Sequence, residues 1–442
     1  MTIRMDEGAA ELLDTLHRAG YAAYVVGGCV RDSLLGLTPH DWDLCTSALP
    51  QQGMELFGEE KCIPTGLQHG TVTVKQGGGL YEITTFRTEG AYTDGRHPDE
   101  VHFVPDVRED LARRDFTINA MAYNEKEGLV DPFSGQADLQ SGILRAVGVP
   151  HQRFTEDALR ILRLYRFAAR FGFAIDPPTA QAAQELCAHL DCVSVERIEE
   201  ELAKLLSAPA PAAYLDEKIL GVVLPELSPE ALAAAKPVVD ACPAGEQALP
   251  VRLAALLLSL GEDGTRRTLR RLRCSNACIE ETAVLVREVV SGVPVAFSSD
   301  TNRAIPSPAL LPAATGSHPS GRSSEKLPAR PPVSLNIYAR RLLGKYNLCT
   351  VQRLAALGTA LQPERSADFA ALSELAERLD ADGVCCRVSQ LAVNGRDLMA
   401  AGVPAGPGIR KVLEALLDGV IREEYPNERQ ALLAAVQQLA AS

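Results

Sequence analysis

The pattern of apolar positions changes character twice along the chain. Residues 8–19 carry a helical repeat and predict a short amphipathic helix. Tyr24-Val25-Val26 reads as a strand running into Gly27-Gly28, and a helical pattern resumes from Arg31 to Leu35. Val72 and Val74, then Tyr81 and Ile83, alternate on either side of Gly77-Gly78-Gly79, which predicts a hairpin. Residues 88–100 are charged and turn-rich. A strand or two and a helix over 109–123 complete an α+β unit ending near residue 145. From residue 153 helical periodicity takes over, at 154–172, 178–190, 195–206 and onward to 292. Residues 297–332, rich in Ser, Pro and Ala, have no sustained period and read as a disordered insertion or linker. Helical signals return over 335–380 and 408–422, the latter after the loop AGVPAGPG.

Composition narrows the class. With 442 residues, 46% hydrophobic and 23% charged, the chain can bury cores for about three domains. A wholly disordered chain and a small disulfide scaffold are excluded. The net charge of -13 excludes a uniformly basic nucleic-acid binder, so a polyanionic partner requires local basic patches. Eleven cysteines without a CxxC pair predict reduced thiols, a cytoplasmic protein and no zinc site. Neither an apolar signal core nor a membrane-length apolar run is present, so no membrane span is expected.

Four short segments carry candidate chemistry. In Asp41-Trp42-Asp43, an extended backbone would project both carboxylates from one face. Such a pair repels unless a cation lies between, and hard oxygen donors suit Mg²⁺. Alone, the pattern equally fits a solvated acidic turn. Val26-Gly27-Gly28-Cys29-Val30-Arg31 sits between a strand and a helix, where glycines admit close approach of phosphate and Arg31 could clamp it. It has neither Walker A nor dinucleotide-binding spacing. Arg113-Arg114, followed by Asn119, could converge on a triphosphate and its sugar. Glu156-Asp157, with Arg160, Arg163 and Arg166 at intervals of three, combines an acceptor with donors able to read a base edge. The plainer reading of that last run is a salt-bridged, solvated helix face.

Taken together and in order, GGCVRD, DWD, RRDFTINAMAYN and FTEDALRILRLYRFAARFGF resemble the class II, bacterial-type tRNA nucleotidyltransferases, the CCA-adding enzymes of the polymerase β-like superfamily. The similarity spans about residues 20–210 and resumes in VNGRDLMAAGVPAGPGIRKVLEALLDGVIREEYPNER. The resemblance implies a nucleotidyltransferase head at 1–145, a helical neck with the base-reading helix at 146–210, a helical body at 211–296, and helical body and tail binding tRNA at 333–442. It implies Mg²⁺ on Asp41 and Asp43, and attack of the tRNA 3'-hydroxyl on the α-phosphate of CTP or ATP with release of pyrophosphate. Gly28, Arg31, Arg113, Arg114 and Asn119 would bind the nucleotide. Asp157 and Arg160 would pair with the base as a protein template oriented by Glu156, with Arg163 and Arg166 in the same pocket. Glu82, in YEITTFR, would be an additional carboxylate near the metal.

The remaining expectations concern partners and subfamily. Residues 153–170 hold five arginines against two acids, and 265–273 hold five arginines and no acid. Arg266, Arg267, Arg270, Arg271 and Arg273 are therefore candidates for tRNA-backbone contact, against the plainer reading of a solvated helix face. The segment 89–103 looks like the flexible loop that CC-adding relatives lack, which disfavours CC-only activity. A-adding and poly(A)-adding activities remain alternatives, as does an inactive tRNA-binding relative. Leu253–Ser259 lacks the His-Asp pair of an HD phosphohydrolase, so neither phosphatase nor phosphodiesterase activity is expected. No obligate protein partner is predicted.

Overall fold

The computed structural model describes residues 2–64, 66–90, 100–291 and 334–441. The expected insertion at 297–332 and most of the 89–103 loop lie outside the described residues. The chain divides into two compact units. One comprises Met1–Lys236, Ala244–Glu246 and Thr268–Cys274, the other Pro237–Pro243, Gln247–Arg267 and Ser275–Ser442.

The first unit opens with α1 (Glu7–Arg18), which buries Leu12, Leu13 and Leu16. Next come β1 (Ala23–Val26), α2 (Gly28–Leu34), β2 (Leu44–Thr46), α3 (Pro50–Phe57), β3 (Cys62–Ile63), β4 (Thr71–Gln76), β5 (Gly79–Thr85), β6 (Arg87–Glu89), β7 (Val101–Phe103), α4 (Val107–Ala112), β8 (Ala122–Asn124) and β9 (Gly128–Val130). Among the described residues, seven strands form one sheet in the order β3-β4-β5-β2-β1-β8-β9, and β6 pairs separately with β7. The hairpin predicted around the three glycines is β4–β5, with Gly77 and Gly78 at positive φ. β2 runs parallel to β5, with Leu44 opposite Ile83, and antiparallel to β1, with Leu44 opposite Val25. Tyr24, Val26, Cys45, Phe86 and Leu111 pack a core behind the sheet.

Helices then dominate: α5 (Gly135–Ser141), α6 (Pro150–Glu156), α7 (Leu159–Phe171), α8 (Pro177–Glu185), α9 (Val195–Leu206) and α10 (Glu217–Val223), with the short parallel pair β10 (Ile143–Leu144) and β11 (Ala174–Ile175) between them. This α+β head followed by helices is the expected fold class. The helices α11 (Pro229–Ala241), α12 (Leu249–Leu257), α13 (Gly261–Arg271), α14 (Asn276–Val290) and α15 (Leu335–Lys345) follow. Within the second unit, α16 (Leu348–Leu361) crosses α17 (Ser366–Ala381) so closely that a Cβ on Gly358 would collide with the Phe369 ring. Near the C-terminus, α18 (Gly395–Ala400), α19 (Pro407–Ile421) and α20 (Arg429–Ala441) enclose Leu398, Leu416, Val420 and Leu432. No helix among the described residues is long and apolar enough to cross a membrane.

Two predicted helices are interrupted, and both interruptions lie in candidate motifs. The segment 109–123 is not one helix: α4 ends at Ala112, a 3-10 turn covers Thr117–Asn119, and β8 begins at Ala122. The Asp115 carboxylate accepts the Phe116 N–H. The backbone meanwhile pairs with distant residues, Thr117 N–H donating to Arg145 and Val147 N–H to Asp115. Likewise 154–172 breaks after α6. Asp157 is extended (φ -146°, ψ 104°) and its carboxylate accepts the Leu159 N–H at 3.0 Å. An Asp that bonds the backbone two residues on competes with helix continuation.

Candidate active site

Asp41 and Asp43 lie on the extended approach to β2. Both are exposed, while Trp42 between them is buried, so the two carboxylates share a face as the spacing requires. The Val26 N–H donates to the Asp43 carbonyl at 2.9 Å, fixing this stretch against the end of β1. The parallel register places Glu82 of β5 beside Asp43 on the same face. Loss of water around the Asp43 carboxylate pushes its pKa up, Glu82 and Asp41 push in the same direction, and Arg114 opposes them.

These are oxygen donors whose mutual repulsion a divalent cation would relieve. Among the described residues no three His, Cys, Asp or Glu side chains form a closed metal-binding group. Two exposed carboxylates fit Mg²⁺ nonetheless, because that ion typically takes one or two protein carboxylates and completes its shell with water and phosphate.

Three consecutive residues, Arg113, Arg114 and Asp115, join the Asp41–Asp43 end of the site to α7. The Arg113 carbonyl accepts from Arg160 Nη2 at 3.1 Å. Arg114 reaches toward Gly27, whose Cβ, if it had one, would sit 2.9 Å from Arg114 Nη1. Its Nη2 lies 3.3 Å from Asp110, and its buried Nε has no protein partner. Asp115 accepts two bonds from Arg163 and one, at 3.1 Å, from Asn119. The Arg113 guanidinium, expected on the nucleotide, is instead engaged by Glu89 and Asp110 at 2.9 and 2.8 Å.

Asp157 and Arg160, expected at the base, are each held by partners within the chain. Arg160 Nη1 donates to Glu156 Oε2 at 2.7 Å and to the Arg153 carbonyl at 3.1 Å. Together with Arg113, these use three of its five N–H groups. Glu156 also binds Arg153. The Arg160 N–H donates to the Asp157 carbonyl at 3.0 Å, but the two side chains do not pair. Arg197, in the first turn of α9, grips both oxygens of Asp157, Nη2 to Oδ2 at 2.7 Å and Nη1 to Oδ1 at 3.3 Å.

Several residues expected at the nucleotide also form a largely buried bracket with one another and with neighbouring acids. Arg31, only 4% exposed, donates to Asp32 at 2.7 Å and to Asn119 Oδ1 at 2.5 Å, and lies near the rings of Phe167 and Phe171. Arg166 pairs with Glu201 and stacks 3.8 Å from the Phe167 centroid. Arg163 binds Asp115 and approaches the same ring at 5.4 Å. Burial lowers the pKa of both Arg31 and Arg166, with Asp32 and Glu201 opposing. Gly28 begins α2 beside this cluster.

Sequence reading missed Asp32, Asp115, Phe167, Arg197 and Glu201. Asp115 and Phe167 stand inside quoted motifs, but Arg197 and Glu201 lie in an unremarkable charged helix. Of the basic run, Arg266 pairs with Glu262 and Glu280, Arg271 with Glu226, and Arg273 with Glu196. Arg267 and Arg270 are exposed without an ion pair among the described residues.

Comparison with known proteins adds three family matches. Residues 23–145 match the poly A polymerase head domain, 172–230 a probable RNA and SrmB-binding site of polymerase A, and 334–436 a putative tRNA nucleotidyltransferase domain 2. The CCA-adding enzyme of Limosilactobacillus fermentum is 36% identical, over 98% of this chain and 97% of the relative. The crystal structure of the Bacillus stearothermophilus CCA-adding enzyme in complex with CTP superposes with a TM-score of 0.76 at 29% identity, covering 99% of this chain and 98% of that one. The Thermotoga maritima CCA-adding enzyme complexed with tRNA shares the fold, with a TM-score of 0.65 at 20% identity over 98% and 94% of the two chains.

Proposed function

Because the chain belongs to the family of CCA-adding enzymes, which are nucleotidyltransferases, we propose that it adds C, C and A in turn to the 3' end of tRNA from CTP and ATP. Pyrophosphate leaves at each step, no nucleic-acid template is used, and the divalent metal is Mg²⁺. The observation that carries the base assignment is the hydrogen-bonding capacity left at Asp157 and Arg160. Asp157 Oδ1 accepts from Leu159 N–H and Arg197, and Oδ2 accepts one bond from Arg197. One acceptor position on Oδ2 therefore remains. Arg160 keeps two N–H groups without a protein partner among the described residues.

An acceptor beside donors complements an exocyclic amino group beside a ring nitrogen. Cytosine and adenine both present that pair. Uracil and guanine present a carbonyl beside a ring N–H, and would set acceptor against acceptor. One fixed pair of side chains thus selects C and A together.

Asp41 and Asp43 would hold the metal, with Glu82 adding negative charge beside them. The ion, when bound, favours ionisation of the tRNA 3'-hydroxyl and neutralises charge developing on the α-phosphate. Arg114 and the Gly27–Gly28 turn would receive the triphosphate. Arg31, Asn119, Arg163 and Arg166 would act from beneath, keeping head and α7 in register.

The test supplies purified protein with Mg²⁺, labelled CTP and ATP, and tRNA ending before the first C, after CC, or after CCA. Ordered addition of C, C and A to the first, A to the second and nothing to the third is expected. Addition of A to tRNA-CC alone would make it an A-adding enzyme, and continued addition to tRNA-CCA a poly(A)-adding one. With no incorporation at all, the enzymatic reading falls. Asp41→Ala should abolish incorporation and spare tRNA binding.

A further inference from the structure

Asp110, on α4, is fully buried, and its two carboxylate oxygens are used differently. Oδ1 accepts from Arg113 Nε at 3.0 Å, from Arg113 Nη2 at 2.8 Å and from the Arg87 N–H of β6 at 3.3 Å. Oδ2 accepts from Arg114 Nη2 at 3.3 Å. Two adjacent arginines therefore share the acid unequally. Arg113 has a close two-point grip, and Glu89 meets it at 2.9 Å. Glu89 is itself shared with Arg87 at 3.1 Å. Arg114 has one long bond. Among the described residues, three guanidinium groups here meet two carboxylates, and the charge left over falls on Arg114, the one held least tightly. Its side chain is only 20% exposed and its buried Nε has no protein partner. Enclosing a guanidinium so poorly compensated is costly unless an anion completes it. Arg114 Nη1 lies where a Cβ on Gly27 would be 2.9 Å away, so the glycine turn is where that anion fits. Burial by itself would raise the Asp110 pKa, but Arg113 and Arg114 hold it below the ordinary carboxylate value, which keeps it an anion at neutral pH.

Resting on the proposed seat of the triphosphate at Arg114 and the Gly27–Gly28 turn, we infer that Asp110 is a positioning residue for nucleotide binding: it tethers Arg114 by one nitrogen and leaves the rest of the guanidinium to the phosphates. It acts on the part that CTP and ATP have in common, so it governs affinity for both and not the choice between bases. Asn at this position keeps the shape but loses the charge, and its amide nitrogen cannot accept from either arginine.

The experiment measures single-nucleotide addition by the whole chain, with CTP or UTP on tRNA ending before the first C, and ATP or GTP on tRNA ending in CC. Inhibition by inorganic tripolyphosphate in excess Mg²⁺ reads the phosphate seat without a base. Asp110→Asn should raise KM for CTP and ATP alike, roughly tenfold, the scale of one hydrogen bond to a charged group. Tripolyphosphate should inhibit more weakly by the same factor, while preference for CTP over UTP and tRNA affinity hold. In an Arg114→Met background, Asp110→Asn should change KM no further. A lowered unfolding temperature with wild-type KM would make Asp110 a packing residue and overturn the inference. A fall in CTP preference with unchanged tripolyphosphate inhibition would also overturn it, since the effect would then run through the Arg113 carbonyl to Arg160. If Asp110→Asn fails to fold, Asp110→Glu carries the test. It keeps the charge but displaces it by one methylene, and wild-type KM in that variant overturns the inference. Raised KM in Arg114→Met beside wild-type behaviour in Asp110→Asn overturns the inference alone. Wild-type KM and inhibition in Arg114→Met overturn the triphosphate seat and this inference with it.

Discussion

Arg163 donates two hydrogen bonds to a single carboxylate oxygen of Asp115, at 2.9 and 2.6 Å. The bond links α7 to the turn that follows α4. That turn also presents the Arg113 carbonyl to Arg160 and aims Arg114 at the glycine turn. The ion pair therefore sets the position of Arg160 relative to Arg114 and the Gly27–Gly28 turn.

Asp115 should also report on acid stability. Burial alone would raise its pKa, but Arg163 and Asn119 hold it at about 2, below the ordinary 3.8. Its folded value lies below its unfolded value, so the stabilisation is present above about pH 4 and is lost as pH falls toward about 2. The contribution is about 2 kcal/mol. Asp115→Asn should flatten the dependence of unfolding free energy on pH across that window, measured by denaturant unfolding. Asp115→Ala, which leaves Arg163 poorly compensated, should cost about 3–5 kcal/mol at neutral pH.

Glu156 accepts from Arg160 Nη1 at 2.7 Å. Hydrogen bonds to charged groups are worth about 1.5–3 kcal/mol, so Glu156→Gln should lower kcat/KM for CTP and ATP about tenfold. UTP incorporation should rise relative to CTP. Competition assays with mixed nucleotides would detect the change, and unaltered preference would show that Arg160 keeps its position without the acid.

Gly27 has φ 77° and ψ -122°, a conformation that side chains resist, and its missing Cβ leaves room for Arg114. Gly27→Ala should lose about 1–3 kcal/mol of stability from backbone strain. It should also displace Arg114, so KM for both nucleotides rises while tRNA affinity holds. Thermal unfolding and steady-state kinetics separate the two effects.

Arg267 and Arg270, on the helix Gly261–Arg271, are exposed without ion-pair partners among the described residues. If they meet RNA phosphates, the double change to Ala should weaken tRNA binding and reduce the slope of log K against log salt by about 0.7–0.9 per lost contact. Arg271→Ala, removing a side chain already held by Glu226, should alter binding less. Equal slopes for all variants would place the RNA backbone elsewhere.

The family was legible because its motifs are compressed into short segments. The spacing of Asp41 and Asp43 around Trp42 put both carboxylates on one face, and local alternation does settle that. The β4–β5 hairpin, the helices α1, α9 and α19, and the order of α+β head before helices were readable for the same reason: each depends on residues near in sequence. Tertiary structure alone decided which charged residues are drawn into buried ion pairs. Arg31, Asn119 and Arg166 read as nucleotide contacts, yet their partners include side chains up to 88 residues away, and they are buried with them. The helix break at 113–115 has the same origin, since the pairing with 145–147 acts through space, whereas the break at Asp157 is local, its carboxylate accepting the Leu159 N–H. Local periodicity registers which face is apolar. It carries no information about which distant carboxylate, carbonyl or ring will claim a given arginine, and that competition decides which guanidinium groups are taken up within the fold and which keep open donors.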